Sequence, residues 1–263
     1  RIDHTNNAFD EEMKSKEIYE KESDSVYREQ YQLSQDYVVL TNNIKTISTY
    51  YLLGSDELKQ MEDIRNAIDA SAEARTLFDN YAHSNVPQLY SVLVEKMRDL
   101  QKATTSARAS YDAFMTYLKS LKENTNKAYA SIQRDYQLVK EKEEAVRSLH
   151  VASLSERYAP RFESVHQQID ALWDLLQARP INVKAMMNQL HDLETQSDVL
   201  FQEVDQVKTS LEKAEAAIVA ANRFRMLGSA EEQTVHQAEV LFQNGSFAEA
   251  EEAANRVIAA HKE

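Results

Sequence analysis

Only six residues in this chain of 263 break a helix readily: Gly54, Gly228, Gly245, Pro87, Pro160 and Pro180 are its full complement of glycine and proline. Ordinary usage is about 7% glycine and 5% proline, so about five times as many would be expected. Each of the six falls where an apolar periodicity stops or restarts. Together they cut the chain into long helices and leave little loop from which to build an active site.

The apolar positions support this. From Leu93 the series Met97, Leu100, Thr104, Ala107, Tyr111, Phe114, Leu118, Leu121, Thr125, Ala128, Ile132 alternates spacings of four and three. That is the 3.5-residue period of helices that wrap one another. Tyr136 falls one position late, although Val139 and Val146 return to phase, so the seam loosens near Ile132. A second run is as regular: Val183, Met186, Leu190, Leu193, Ser197, Leu200, Val204, Val207, Leu211, Ala214, Ile218, Ala221. Shorter seams run from Leu33 to Tyr51 and from Tyr158 through Phe162, Val165, Ile169 and Leu172 to Leu176, with a patchier one over Met61, Ile64, Ile68, Ser71 and Phe78.

Breakers and seams together predict helices over 5–53, 56–83, 87–149, 158–178, 182–226, 231–243 and 247–261. Gly54 suits a left-handed position after the first helix, Pro87 a first turn, and Ser246 with Glu249 a capping box for the last helix. A helix over 87–149 would be about 95 Å long at 1.5 Å per residue. Its neighbours are less than half that, so one long helix is expected to serve two bundles in turn, as spectrin-type repeats do. The expectation is an all-α, elongated rod of tandem spectrin-like three-helix bundles sharing long helices, ending in a helical hairpin. Its divisions would be 1–118, 119–210 and 211–263. Residues 1–25, with sparse apolar positions (Phe9, Met13, Ile18), would lack a partner in this chain. The hairpin around Val240-Leu241-Phe242 and Phe247 cannot bury its own face and should dock on the helix over 182–226.

Composition narrows the function. Charged residues are 28% of the chain and the net charge is −13, which opposes binding to nucleic acid or unaided adhesion to anionic membranes. There is no cysteine, so disulfide and thiolate chemistry are excluded. The longest apolar run, Ala216 to Ala221, is far short of the ~20 residues of a membrane span. The chain opens on Arg1 with no signal-peptide pattern and is expected to be a piece of a larger protein. Three isolated glycines admit neither a phosphate-binding loop nor a nucleophile elbow. The seven histidines form no HExxH and no i,i+4 pair, so no metal or cofactor is expected; they suit solvated or rim positions. The acidic clusters at Glu141, Glu143 and Glu144 and at Glu249, Glu251 and Glu252 suit solvated helix faces. The tyrosines of the first helix (Tyr19, Tyr27, Tyr31, Tyr37, Tyr50, Tyr51) suit packing, with any remainder free for a partner. Trp173 belongs beside the Leu172 seam.

One segment stands apart. At Ala221-Asn222-Arg223-Phe224-Arg225 a strict seam stops, with Arg225 where an apolar residue is due. Two arginines, an amide and an aromatic ring sit together there, and arginine and aromatics are residue types enriched in interface hot spots. The plainer reading is a helix C-terminus whose arginines complement the macrodipole. The segment marks Asn222, Arg223, Phe224 and Arg225 as candidate partner-binding residues.

Arg179-Pro180-Ile181-Asn182, the long seam, Asn222-Arg223-Phe224-Arg225 and the hairpin around Leu241-Phe242, with Leu89-Tyr90-Ser91 opening the longest helix, resemble the C-terminal half of the EzrA family. The resemblance covers essentially the whole chain. It implies a septation regulator of low-GC Gram-positive bacteria, on the cytoplasmic face of the membrane at the division septum. The family's spectrin-like repeats follow an N-terminal membrane anchor, which this chain would lack. It further implies binding to the tubulin-like division protein FtsZ and other division proteins, restraint of FtsZ assembly, and no small-molecule substrate. A glutamine-asparagine-arginine patch of the family maps to Asn222 and Arg223, with Val219 at the glutamine position. Leu154-Ser155-Glu156-Arg157 replaces a loop that carries proline and glycine in the family. Homodimerisation stays open. Against this scaffold stands a purely architectural spacer with no filament partner, which needs only the seams. An enzyme would need a cleft of converging perturbed groups, which nothing in the sequence supplies.

Overall fold

The computed structural model describes residues 2–261. Among these the chain is all-helical: α1 (Ile2–Tyr50), α2 (Ser55–Ala82), α3 (Tyr90–Ser148), α4 (Ala152–Gln177), α5 (Val183–Ala221), a 3₁₀ turn (Asn222–Phe224), α6 (Ala230–Gln243) and α7 (Phe247–Ala260). Among the described residues the only extended pairing is a single bridge between Tyr51 and Ile181. The chain divides into two compact units, residues 1–123 with 179–181, and residues 124–178 with 182–263.

In the first unit, cross-helix contacts fix the helix directions. Tyr27 on α1 donates to Asp79 on α2, and Arg75 on α2 donates to Gln30 on α1 at 2.9 Å. As the α1 residue advances its α2 partner retreats, so the two are antiparallel. Glu12 meets Tyr90 and Ser91, and Asp36 meets Arg108 at 2.6 Å, so α1 and α3 run the same way. Tyr117 on α3 donates to Glu57 on α2 at 2.6 Å. Between them Val26, Phe78, Leu93, Val94, Met97 and Leu100 form a buried core, with Tyr19 and Tyr27 packed against Phe78. Each such side chain removed from water contributes about 1.5–3 kcal/mol.

The second unit repeats the logic. Ser131–Glu194 and Lys142–Asp205 pairs are each 63 residues apart, so α3 and α5 are parallel. Gln168 meets Gln196 and Arg161 meets Glu203, which makes α4 antiparallel to α5. The seam residues of α4 and α5 are buried as the spacing requires, from Tyr158 to Leu176 and from Val183 to Ala221, with Val207 alone half-exposed. The terminal hairpin α6–α7 packs on α5, as its unpartnered face demanded.

Several expectations about helix ends are corrected, and each correction has a backbone reason. Helix α1 stops at Tyr50, not at residue 53, because the Tyr50 carbonyl accepts from Ile181 N–H (2.8 Å) and Leu52 N–H donates to the Ile181 carbonyl (2.8 Å). Gly54 is not left-handed; it is the extended N-cap of α2, its N–H donating to Glu57 Oε2 at 2.8 Å. Pro87 lies three residues before α3, which begins at Tyr90 because Glu12 accepts from the free N–H groups of Tyr90 (2.8 Å) and Ser91 (3.3 Å). Glu12, Ile18 and Tyr19 therefore have partners inside this chain, unlike the unpartnered stretch expected over 1–25. Phe9 and Met13 stay exposed. Helix α4 starts at Ala152 instead of 158, and Pro160 sits within it. Leu154 is buried and extends the α4 seam by one step, which recruits the preceding turn. Helix α5 ends at Ala221, five residues early.

The turn into α7 needs glycine. Gly245 has φ 82°, Gly245 N–H donates to the Phe242 carbonyl (3.0 Å) and Ser246 N–H to Leu241 (2.9 Å), which caps the end of α6 in a Schellman pattern. Ser246 is the N-cap of α7, although its hydroxyl makes no capping bond. A Cβ on Gly245 would lie 3.1 Å from Ser153 Oγ, which itself donates to the Gln243 carbonyl at 3.2 Å. Gly228 has a similar φ of 78° with open space around it. Gly245→Ala is expected to lower stability in urea unfolding by about 1–3 kcal/mol and Gly228→Ala by about 1 kcal/mol. Equal losses would remove any role for the Ser153 contact.

Candidate interaction surface

The marked segment forms the corner where α5 gives way to α6. Ala221 is fully buried and closes the α5 seam. Asn222 to Phe224 then tighten into one 3₁₀ turn, and Arg225 is extended at φ −70°, ψ 111°. This explains why a charged residue stands where the period called for an apolar one. The helix has ended, so position 225 no longer faces the core.

The four residues take different roles. Arg225 Nη1 donates to Glu239 on α6 (3.0 Å) and to Asn222 Oδ1 (3.4 Å), so Arg225 and Asn222 hold the corner to α6. The ring of Phe224 is half-buried and stacks on His261 at 4.6 Å with 23° between the planes. His261 is in turn fixed by an Nδ1 contact to the Val257 carbonyl at 3.1 Å, one turn back on α7. Arg223 is exposed and has no ion-pair or hydrogen-bond partner among the described residues. Beside it Val219, Met226 and Leu227 are exposed, Leu227 almost completely at 96%. The segment thus separates into three residues that brace the corner and one cation with an apolar fringe.

The next turn is braced as well. Ser229 caps α6 by accepting from Glu232 N–H (3.1 Å), and Glu232 accepts from Gly228 N–H (2.5 Å). The Glu231 carboxyl is held below the usual carboxylate range, first by the backbone N–H at the helix start and then by the Ser229 hydroxyl. The first turn of α6 therefore carries two carboxylates, Glu231 and Glu232, which suit the positive end of that helix.

Elsewhere the chemistry-bearing residues are tied up locally. His166 lies 3.3 Å from Glu143, and Glu143 also accepts from Arg147, so this cluster is a polar ladder joining α3 and α4. Among the described residues no group of three or more His, Cys, Asp or Glu side chains could hold a metal. Trp173 meets Tyr129 edge to face at 5.1 Å and lines a shallow groove with Gln133, Tyr136 and Gln137. Of the α1 tyrosines, Tyr19 and Tyr27 pack, whereas Tyr31 and Tyr50 are exposed. Sequence reasoning missed His261 as the support for Phe224. No periodicity points to it, because the two are brought together only by the α5–α7 packing.

Among the described residues no helix is long and apolar enough to cross a membrane. The family model described as "Septation ring formation regulator, EzrA" matches residues 1–262. The chain is similar to proteins described as septation ring formation regulators in three genera. That of Staphylococcus epidermidis is 20% identical over 263 residues, covering 98% of this chain and 46% of its own length. That of Bacillus pumilus is 22% identical over 223 residues, 82% of this chain and 38% of its own. That of Listeria welshimeri is 24% identical over 155 residues, 59% of this chain and 27% of its own. The chain thus spans less than half the length of these curated relatives. No solved structure matches it.

Truncating the stacked ring tests the bracing role assigned to Phe224. Phe224→Ala is expected to cost about 1 kcal/mol in chemical unfolding and to speed hydrogen exchange at the end of α7. Unchanged exchange in residues 257–261 would show that the stack does not anchor that end.

Proposed function

Because the chain belongs to the EzrA septation ring formation regulator family, we propose that it acts without catalysis, as a scaffold and regulator of the cell-division ring. In this reading it binds FtsZ, inhibits or positions FtsZ assembly, and links the ring to the membrane and the division machinery from the cytoplasmic face at the septum. The observation that carries the reading is the family match over residues 1–262.

The structure supplies a physical means. Long uninterrupted helices hold side chains at set intervals, and α3 alone is 59 residues. Such a framework can offer several weak contacts to one polymer. Each gains effective concentration once another is engaged, so avidity rises without any single tight site. The net charge of −13 limits attraction to other acidic partners, so any contact must come from local cationic or apolar features. Arg223 with Val219, Met226 and Leu227 is such a feature, and we assign partner binding to it, with Asn222, Phe224 and Arg225 setting its shape.

Co-sedimentation of this chain with FtsZ polymers, at low and raised salt, tests the scaffold reading directly. Pelleting with the polymer is expected, whereas absence of pelleting at both salt levels would favour a pure spacer. Arg223→Glu is expected to lower recruitment to the division site about tenfold while the helical circular dichroism signal is kept. Full recruitment of that variant would reject the corner as a contact.

A further inference from the structure

One seam position of α3 is filled by a charge. Counting on from Ile132, the next position is 135, and Asp135 is 2% exposed there, followed in phase by the buried Val139 and Val146. Tyr136, beside it in the chain, is displaced to the half-buried edge with Lys140 over its ring at 4.2 Å. The carboxylate is served on one side only. Arg134 donates to Oδ1 from Nε (3.0 Å), and its Nη2 lies within ion-pair distance of the same oxygen (3.0 Å). Oδ2 meets no hydrogen-bond partner among the described residues.

The facing helix adds charge of the same sign. Glu194 and Asp198 approach from α5, and both act on Asp135. The same Arg134 lies 3.5 Å from Glu194, which also accepts from Ser131 Oγ at 3.0 Å. One guanidinium, itself more than half exposed, thus answers for three carboxylates in this layer. From α4, His166 is directed at Tyr136 (ring centroids 6.3 Å) and Glu143 (3.3 Å), while Asp170 and Asp174 are exposed. No α4 charge compensates the layer.

A buried carboxylate that leaves one oxygen unbonded loses its hydration without replacement, and like charges nearby add to the cost. Leucine at this position would cost nothing of the kind. We propose that the Asp135 layer is a proton-responsive weak point in the core of the second unit: ionised, it loosens the packing of α3 against α5, and protonated, it lets the same layer close. Loss of the charge relieves the repulsion from Glu194 and Asp198 and the unmet demand at Oδ2 together.

The sign is opposite to that of ordinary acid unfolding. Burial, followed by Glu194 and Asp198, pushes the Asp135 carboxyl above its usual range against the pull of Arg134. A group whose folded value lies above the unfolded one binds more protons when folded, so its penalty is complete above the folded value. The penalty shrinks as pH falls through that value and is gone below the unfolded value of about 3.9.

Thermal melts of the whole chain and of Asp135→Asn, from about pH 7 to about pH 4.5, read this out. Carboxylates outside this layer destabilise both proteins alike, so the difference isolates Asp135 together with its coupling to Glu194 and Asp198. The unmodified chain is expected to gain about 2–4 °C in Tm on the variant over that interval. Parallel Tm curves would overturn the proposal. Should Asp135→Asn not fold, Asp135→Leu replaces it, with the same expectation. Carbon-13 titration of the Asp135 carboxyl in the unmodified chain decides independently. It should titrate above the exposed aspartates, and titration among them would refute the weak point.

Discussion

Apolar side chains recurring every three or four residues along a helix leave water only if other helices lie against them. That requirement, repeated along α3, α4 and α5, places the remaining elements within each unit. In the first unit α1 and α2 cover α3 from Leu93 to Leu100. In the second, α4 and α5 cover it through Ile132 and Val139, and α6 and α7 cover what α5 would otherwise leave bare. A helix over 50 residues long has little other source of stability, since its polar face is fully solvated and exposed ion pairs contribute about 0–1 kcal/mol each.

Polar groups within the seams show how much the packing tolerates. Ser71 and Ser197 are buried but donate to carbonyls three or four residues back in their own helices, at 2.7 and 2.8 Å, so neither leaves a donor idle. Gln30 is buried at the α1–α2 contact and is answered by Arg75. Thr104 is a harder case, because its buried hydroxyl has no partner among the described residues. Asp135 is harder still, since it adds a charge. The seams therefore accept a hydroxyl at small cost and a carboxylate at large cost, a ranking that follows from what each loses on leaving water.

The helices and their inward faces were legible because a 3.5-residue period is strictly local: Leu93 to Ile132 and Val183 to Ala221 need no knowledge of a partner. Helix ends were less legible, because they depend on partners distant in the chain. Nothing near Tyr50 announces Ile181, and nothing near Tyr90 announces Glu12, yet these residues decide where α1 stops and α3 starts. The same holds at the corner after α5. The types Asn222, Arg223, Phe224 and Arg225 stood out from composition, but the bracing by Glu239 and His261 depends on how α6 and α7 return to α5. Asp135 was visible only as a one-residue slip of Tyr136; that the acid occupies the inward position required coordinates.

Pro160 carries a last consequence. Lacking an N–H, it cannot bond the carbonyl of Glu156, so the rung joining these residues is missing from α4. Both residues face solvent, and water can serve that carbonyl without distortion. The two turns ahead of the proline are consequently coupled to the rest of α4 by one fewer bond and are anchored by Leu154, Tyr158 and the Ser153 contact to α6. Fraying that begins at Ala152 meets a natural stopping point at the imino acid, and the hydrophobic column from Phe162 onward is shielded from it.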